Sequence, residues 1–121
     1  MKFEINENLP IHPQLVKEII TRIVCGIYNK GEKIPSVRDL AIEAEVNPNT
    51  MQKALTELEE TKVIKAKGTS GRFVTEDETK INELRGNLQE QIKKEFIKEM
   101  KKLGYNNKEI LGIVRKELSN D

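Results

Sequence analysis

The stretch IPSVRDLAIEAEVNPNTMQKALTELEE, residues 34–60, carries two helix-opening signals in quick succession, Ser36-Val37-Arg38-Asp39 and Asn47-Pro48-Asn49-Thr50. Ser36 reads as an N-cap, with Asp39 three residues on as a carboxylate variant of the capping box. Val37, Leu40, Ala41 and Ala44 then form the apolar stripe of a helix of about two and a half turns. Asn47 is a second cap. Pro48 follows at the first helical position, where its missing N–H costs nothing, and Met51, Ala54, Leu55 and Leu58 make the next stripe, predicting a helix over 48–60.

A joint of about three residues forces these two helices to cross steeply around a shared core, which is a helix-turn-helix. Upstream, Leu15, Val16, Ile19, Ile20, Ile23, Val24 and Ile27 recur at helical spacing between Pro13 and Tyr28. Asn29-Lys30-Gly31 and then Ile34-Pro35 break that helix. Cys25, the sole cysteine, is expected to pack within it, and it excludes an internal disulfide or a cysteine-based zinc cage. Downstream, 63–67 and 72–75 flank Gly68-Thr69-Ser70-Gly71 as a short hairpin. Helix, helix, helix, hairpin is the order of a winged helix-turn-helix.

Beyond Thr75, Ile81, Leu84, Leu88, Ile92, Phe96, Met100 and Leu103 predict one helix of about 25 residues. Gly104 suits its left-handed end, and Asn106 with Glu109 opens a last helix bearing Ile110, Leu111, Val114 and Leu118. This pair cannot bury its stripes alone at such a size, which favours a dimer over a hairpin folded back on its own domain. The expected fold is therefore mainly α with a small β-hairpin wing. Residues 1–75 form the winged helix-turn-helix domain and 76–121 a two-helix C-terminal dimerisation segment.

Length and composition restrict the function. At 121 residues, with 34% charged and 4% aromatic residues and no Trp, the chain is too small for a large enclosed substrate cavity and too periodic for disorder. It carries no apolar segment long enough to span a membrane, so a cytoplasmic protein is expected. One His, one Cys and scattered carboxylates provide no nucleophile–base pair or metal cage; neither an enzyme, a cofactor nor a bound metal is expected. The net charge is only +1, yet 61–75 holds Lys62, Lys65, Lys67 and Arg72 and no acidic residue. A local basic strip of this kind binds phosphate even in a near-neutral chain.

In a helix-turn-helix the first turn of the second helix enters the major groove. Here that turn presents Asn47, Asn49, Thr50, Gln52 and Lys53. Asn and Gln pair with adenine through two bonds, Thr bonds phosphate or touches a thymine methyl, and Lys binds guanine or phosphate. Unused N–H groups at the same turn are expected to favour a phosphate as well. Arg38, set beside that helix by the tight turn, can fork onto guanine or phosphate, and Lys65, Lys67 and Arg72 can reach the DNA backbone from the wing. The competing reading makes the domain a protein-interaction module whose basic strip meets an acidic partner.

Pro10-Ile11-His12-Pro13-Gln14, Gly31 through Ala41, Val46-Asn47-Pro48-Asn49-Thr50 and Gly71-Arg72-Phe73-Val74 together resemble the winged-helix domain of GntR-type bacterial transcription regulators. The likeness spans about residues 9–75, and the short two-helix tail looks like the YtrA subfamily. By that resemblance Arg38, Thr50, Asn47, Asn49 and Gln52 are DNA contacts, and Gly71 with Arg72 touch DNA at the wing. With Ser36 and Lys53, these complete the candidate DNA-binding set. The resemblance further implies a homodimer on double-stranded operator DNA, repression of an ABC-transporter operon, and room for a small-molecule effector that the sequence does not identify. The chain departs from the family pattern at Glu45, where Gly is usual in the turn, at His12, where Tyr is usual, and in a wing loop one residue longer. A left-handed conformation kept at Glu45 would cost about 1–2 kcal/mol.

Overall fold

A computed structural model describes residues 2–120. In chain order the elements are α1 (Ile11–Val24), α2 (Val37–Ala44), α3 (Pro48–Glu60), β1 (Ile64–Ala66), a 3₁₀ turn (Gly68–Ser70), β2 (Arg72–Val74), α4 (Glu78–Lys102) and α5 (Asn107–Ser119). Helix–helix–helix–hairpin is the order expected of a winged helix, and two helices follow it. The chain divides into two compact units, one ending at Arg85 and the other beginning at Gly86. By packing, the first two turns of α4 therefore belong with the winged helix, ten residues beyond the division at 75/76 drawn from the sequence.

The core of the first unit is the set the stripes anticipate. Leu15, Ile19, Leu40, Met51, Ala54, Leu55 and Leu58 are fully enclosed, and Val63, Ile64 and Val74 join them from the hairpin. Ser36 caps α2 by accepting the Asp39 N–H at 3.1 Å, and Asn47 Oδ1 caps α3 by accepting the Asn49 N–H at 2.7 Å. Leu84 of α4 is buried in the same core and Ile81 packs against it.

The helix ends obey one rule with different residues. Each of the first four helices closes with a pair of backward bonds around a left-handed residue, the Schellman arrangement. In α1 that residue is Gly26 (φ 88°) and in α4 it is Gly104 (φ 94°), whereas α2 uses Glu45 (φ 57°) and α3 uses Lys62 (φ 64°). At α2, Val46 N–H reaches Ala41 O at 3.0 Å and Glu45 N–H reaches Ile42 O at 3.2 Å. The turn thus keeps its left-handed geometry without glycine, and packing of Val46 on the core holds it there. Glu45→Gly should relieve the strain at a smaller cost in unfolded-state entropy, raising stability by up to about 1 kcal/mol in thermal melts.

Three details differ from the sequence reading. Helix α1 stops at Val24 rather than running on to Tyr28, and Tyr28 turns back into the core. Cys25, expected to pack, is exposed at the C-cap, because the chain leaves the helix just there. The hairpin also has a third edge. Gly31 N–H bonds Val74 O at 3.1 Å, Val74 N–H bonds Glu32 O at 2.8 Å, and Ile34 N–H bonds Arg72 O at 2.9 Å. The α1–α2 connection is thereby stitched along β2, opposite β1.

Arg22 is enclosed in this unit. Its guanidinium bonds Tyr28 Oη at 2.9 Å and Glu43 Oε1 at 2.8 Å, and stacks 4.0 Å from the centre of the Phe3 ring. Burial opposes its charge, but the bonds to Tyr28 and Glu43 outweigh that and raise its pKa. Burial likewise raises the Tyr28 pKa, Arg22 opposing it only in part. The folded chain therefore holds the phenolic proton to higher pH than the unfolded chain does. This contribution is fully present below the ordinary tyrosine value of 10.0 and is lost as pH rises through the higher folded value. Melting temperature is expected to fall on that alkaline limb, and less so in Tyr28→Phe.

In the second unit, Asn106 and Glu109 form the two-way capping box at the start of α5, each side chain accepting the other's backbone N–H, at 2.9 and 3.0 Å. Ile110 is buried, whereas Ile92, Phe96, Leu103, Leu111, Ile113 and Leu118 are exposed.

Candidate nucleic-acid interface

Helix α3 sorts its residues by face. Met51, Ala54, Leu55 and Leu58 are inside, while Asn47, Asn49, Gln52 and Lys53 are exposed and Thr50 is half-buried. The core thus locks the helix and leaves its polar first turn outward. Asn47 commits its side-chain oxygen to the cap but keeps its amide NH₂ for an outside acceptor. Among the described residues the Gln52 amide donates to Thr56 Oγ1, at 3.3 Å.

The expectation of unused N–H groups at this turn does not hold. Pro48 has none, Asn49 N–H is taken by the cap, and Thr50 N–H bonds Asn47 O at 3.0 Å. The helix start offers side chains and little free backbone.

Arg38, in the first turn of α2, is exposed, and so is Ser36 at its cap. Neither Arg38 nor Lys53 is in an ion pair among the described residues. Their charges are available to an outside anion. Arg72 is differently placed. It pairs with Ala66 across the hairpin, on the face shared by buried Ile64 and Val74, and its Nε is ion-paired with Glu59 of α3. Gly71 lies in the wing loop at φ 114°. The structure therefore leaves Gly71 half-buried in the wing loop and turns Arg72 back toward α3.

His12, at the start of α1, bonds Glu57 of α3 at 2.7 Å through Nε2. The imidazole ties the first helix to the third. Sequence reasoning missed Lys33, a lysine beside the wing loop, since its place depends on the bridge between Lys33 and Phe73. No group of three or more metal-ligating side chains occurs among the described residues, and no helix there is long and apolar enough to cross a membrane.

Comparison with known proteins agrees with this geometry. Residues 12–74 match the family described as bacterial regulatory proteins, gntR family. The chain is 33% identical over 111 residues to the uncharacterized HTH-type transcriptional regulator YhcF of Bacillus subtilis, covering 92% of each chain. It is 37% identical over 68 residues to the HTH-type transcriptional repressor YtrA of the same organism, covering 56% of this chain and 52% of that one. Among solved structures, a GntR family transcriptional regulator from Listeria monocytogenes superposes with a TM-score of 0.85 at 43% identity, over 93% of this chain and 98% of that one. The DNA-binding domain of AraR in complex with operator ORX1 is similar over 62% of this chain and 92% of its own, with a TM-score of 0.53 at 26% identity.

Proposed function

The chain belongs to the GntR family of bacterial regulatory proteins, DNA-binding regulators of transcription, and from that premise we propose that it acts as a homodimeric repressor on an inverted-repeat operator. The observation that carries the reading is the outward polar turn of α3 with unpaired Arg38 beside it, held by an enclosed core. Asn49, Gln52 and Lys53, with the Asn47 amide, reach base edges, while Ser36, Thr50 and Gly71 approach the backbone. Arg72 contributes by setting the wing against α3 through Glu59.

The second unit supports the dimer. Ile92 is 64%, Leu103 72% and Leu118 67% exposed, and Phe96, Ile97, Ile110, Leu111 and Val114 line an apolar groove of about 320 Å³. A second copy would cover these side chains and set two reading heads one helical turn apart on DNA. Leu111→Asp is expected to weaken self-association by about 2–4 kcal/mol, read by sedimentation, while the winged helix stays folded. Kinship with YtrA makes an ABC-transporter operon the proposed target, in the cytoplasm, with a small-molecule effector acting through the C-terminal helices.

The test is titration of the full chain against a labelled duplex from upstream of its own gene, with scrambled duplex as competitor. Tight binding to the upstream duplex that resists the competitor supports the reading. Equal affinity for both duplexes would contradict it.

A further inference from the structure

Three lysines from two stretches of chain gather around one aromatic ring on the solvent side of the wing. Lys65 stands opposite Phe73 in the β1–β2 ladder, and Lys33 stands opposite the same Phe73 across the other edge. Partners in antiparallel register share a face, so all three side chains lie on the side away from Ile64 and Val74. Lys67 joins them with its Nζ 4.6 Å from the Phe73 ring centre. The stem of Lys33 runs along Gly71: a Cβ added there would meet Lys33 Cε at 2.8 Å and Nζ at 3.6 Å. Glycine at 71 thus leaves the channel that carries the Lys33 ammonium to the wing loop.

Glu59, Glu76 and Asp77 line the same cavity as Lys65, Lys67 and Phe73, but none of them pairs with these ammonium groups. Lys33, Lys65 and Lys67 are exposed, and none is in an ion pair among the described residues. Glu32, the carboxylate nearest Lys33 in sequence, is turned to accept the Asn29 N–H at 2.8 Å. Arg72, the cation the hairpin sequence makes conspicuous, is neutralised by Glu59. Ammonium groups held near one another without ion-pair partners repel until an anion meets them, and a run of phosphates fits a row of them.

We infer that Lys33, from outside the hairpin, adds a phosphate contact of its own beside Gly71, next to the backbone contacts expected of Lys65 and Lys67. The inference rests on the DNA-binding reading above. It is tested with the full chain and a fluorescein-labelled mixed-sequence duplex, measuring log K against log salt concentration. Lys33→Ala is expected to reduce the magnitude of the slope by about 0.9 per bound chain, and K33A/K65A/K67A by about three times as much. Lys33→Arg should keep the wild-type slope. Lys17→Ala, which removes an equal charge from an exposed position of α1, should keep it too, and melting curves establish that each variant is folded. A wild-type chain that binds no duplex would sink the DNA-binding reading. Wild-type binding with an unchanged slope in Lys33→Ala, or an equal fall in Lys17→Ala, overturns only the Lys33 contact.

Discussion

Arg38→Ala is expected to cost operator binding about 1–3 kcal/mol for each reading head, roughly a ten- to hundredfold loss of affinity per head. Its side chain is exposed and outside the ion pairs of the described residues, so removing it takes nothing from the core. Melting temperature should stay within about a degree or two of wild type, since exposed substitutions usually change stability by under about 0.5 kcal/mol. Fluorescence anisotropy with the upstream duplex, run beside a thermal melt, separates the two effects. A guanidinium that only decorated the surface would leave both unchanged. Lys at this position should recover only part of the loss, because an ammonium lacks the fork that grips guanine or phosphate through two bonds.

Leu55→Ala should produce the largest loss of stability, about 2–5 kcal/mol in denaturant titration, a large share of what a small domain possesses. Leu55 has no exposed surface, and it lies on the inner face of α3, the helix that packs on both α1 and α2. The cavity would loosen the support of the polar turn it backs. DNA binding should then fall only as far as the folded fraction falls, and excess protein at low temperature should restore it. Persistent loss of binding in fully folded Leu55→Ala would mean that α3 had shifted, not merely that the domain had become less stable.

How much of this was legible in the chain depends on how local each signal is. Asn47 and Pro48 placed the start of α3 to the residue, and Asn106 with Glu109 did the same for α5, because a cap and its helix are neighbours in sequence. The left-handed turn at Glu45 could be located from the family pattern. Only the structure shows that it persists without glycine, and that Lys62 repeats the arrangement after α3. What was misread and what was passed over share a cause. Cys25 escapes the core because α1 ends one residue before it, and Arg22 is enclosed because Phe3, Tyr28 and Glu43 converge on it from three other segments. Lys33 reaches the wing through a bridge spanning forty residues. Apolar periodicity carries no information about such pairings.

The candidate site divides along the same line. The exposure of Asn47, Asn49, Gln52 and Lys53 follows from the helical period once Met51, Ala54, Leu55 and Leu58 are taken inward. Arg72 and the first-turn N–H groups looked equally available in sequence. One is engaged by Glu59 and the others by Asn47, contacts that depend on tertiary placement and on the tightness of the first turn.

Hydroxyl-radical footprinting of the region upstream of the gene tests the central claim most directly. Two protected patches related by two-fold symmetry, their centres about one helical turn or a whole multiple of it apart, are predicted for the wild-type chain. Both patches should fade together in Arg38→Ala at the same protein concentration. Uniform protection along any duplex, or a single patch without a symmetry mate, would contradict an operator-reading dimer.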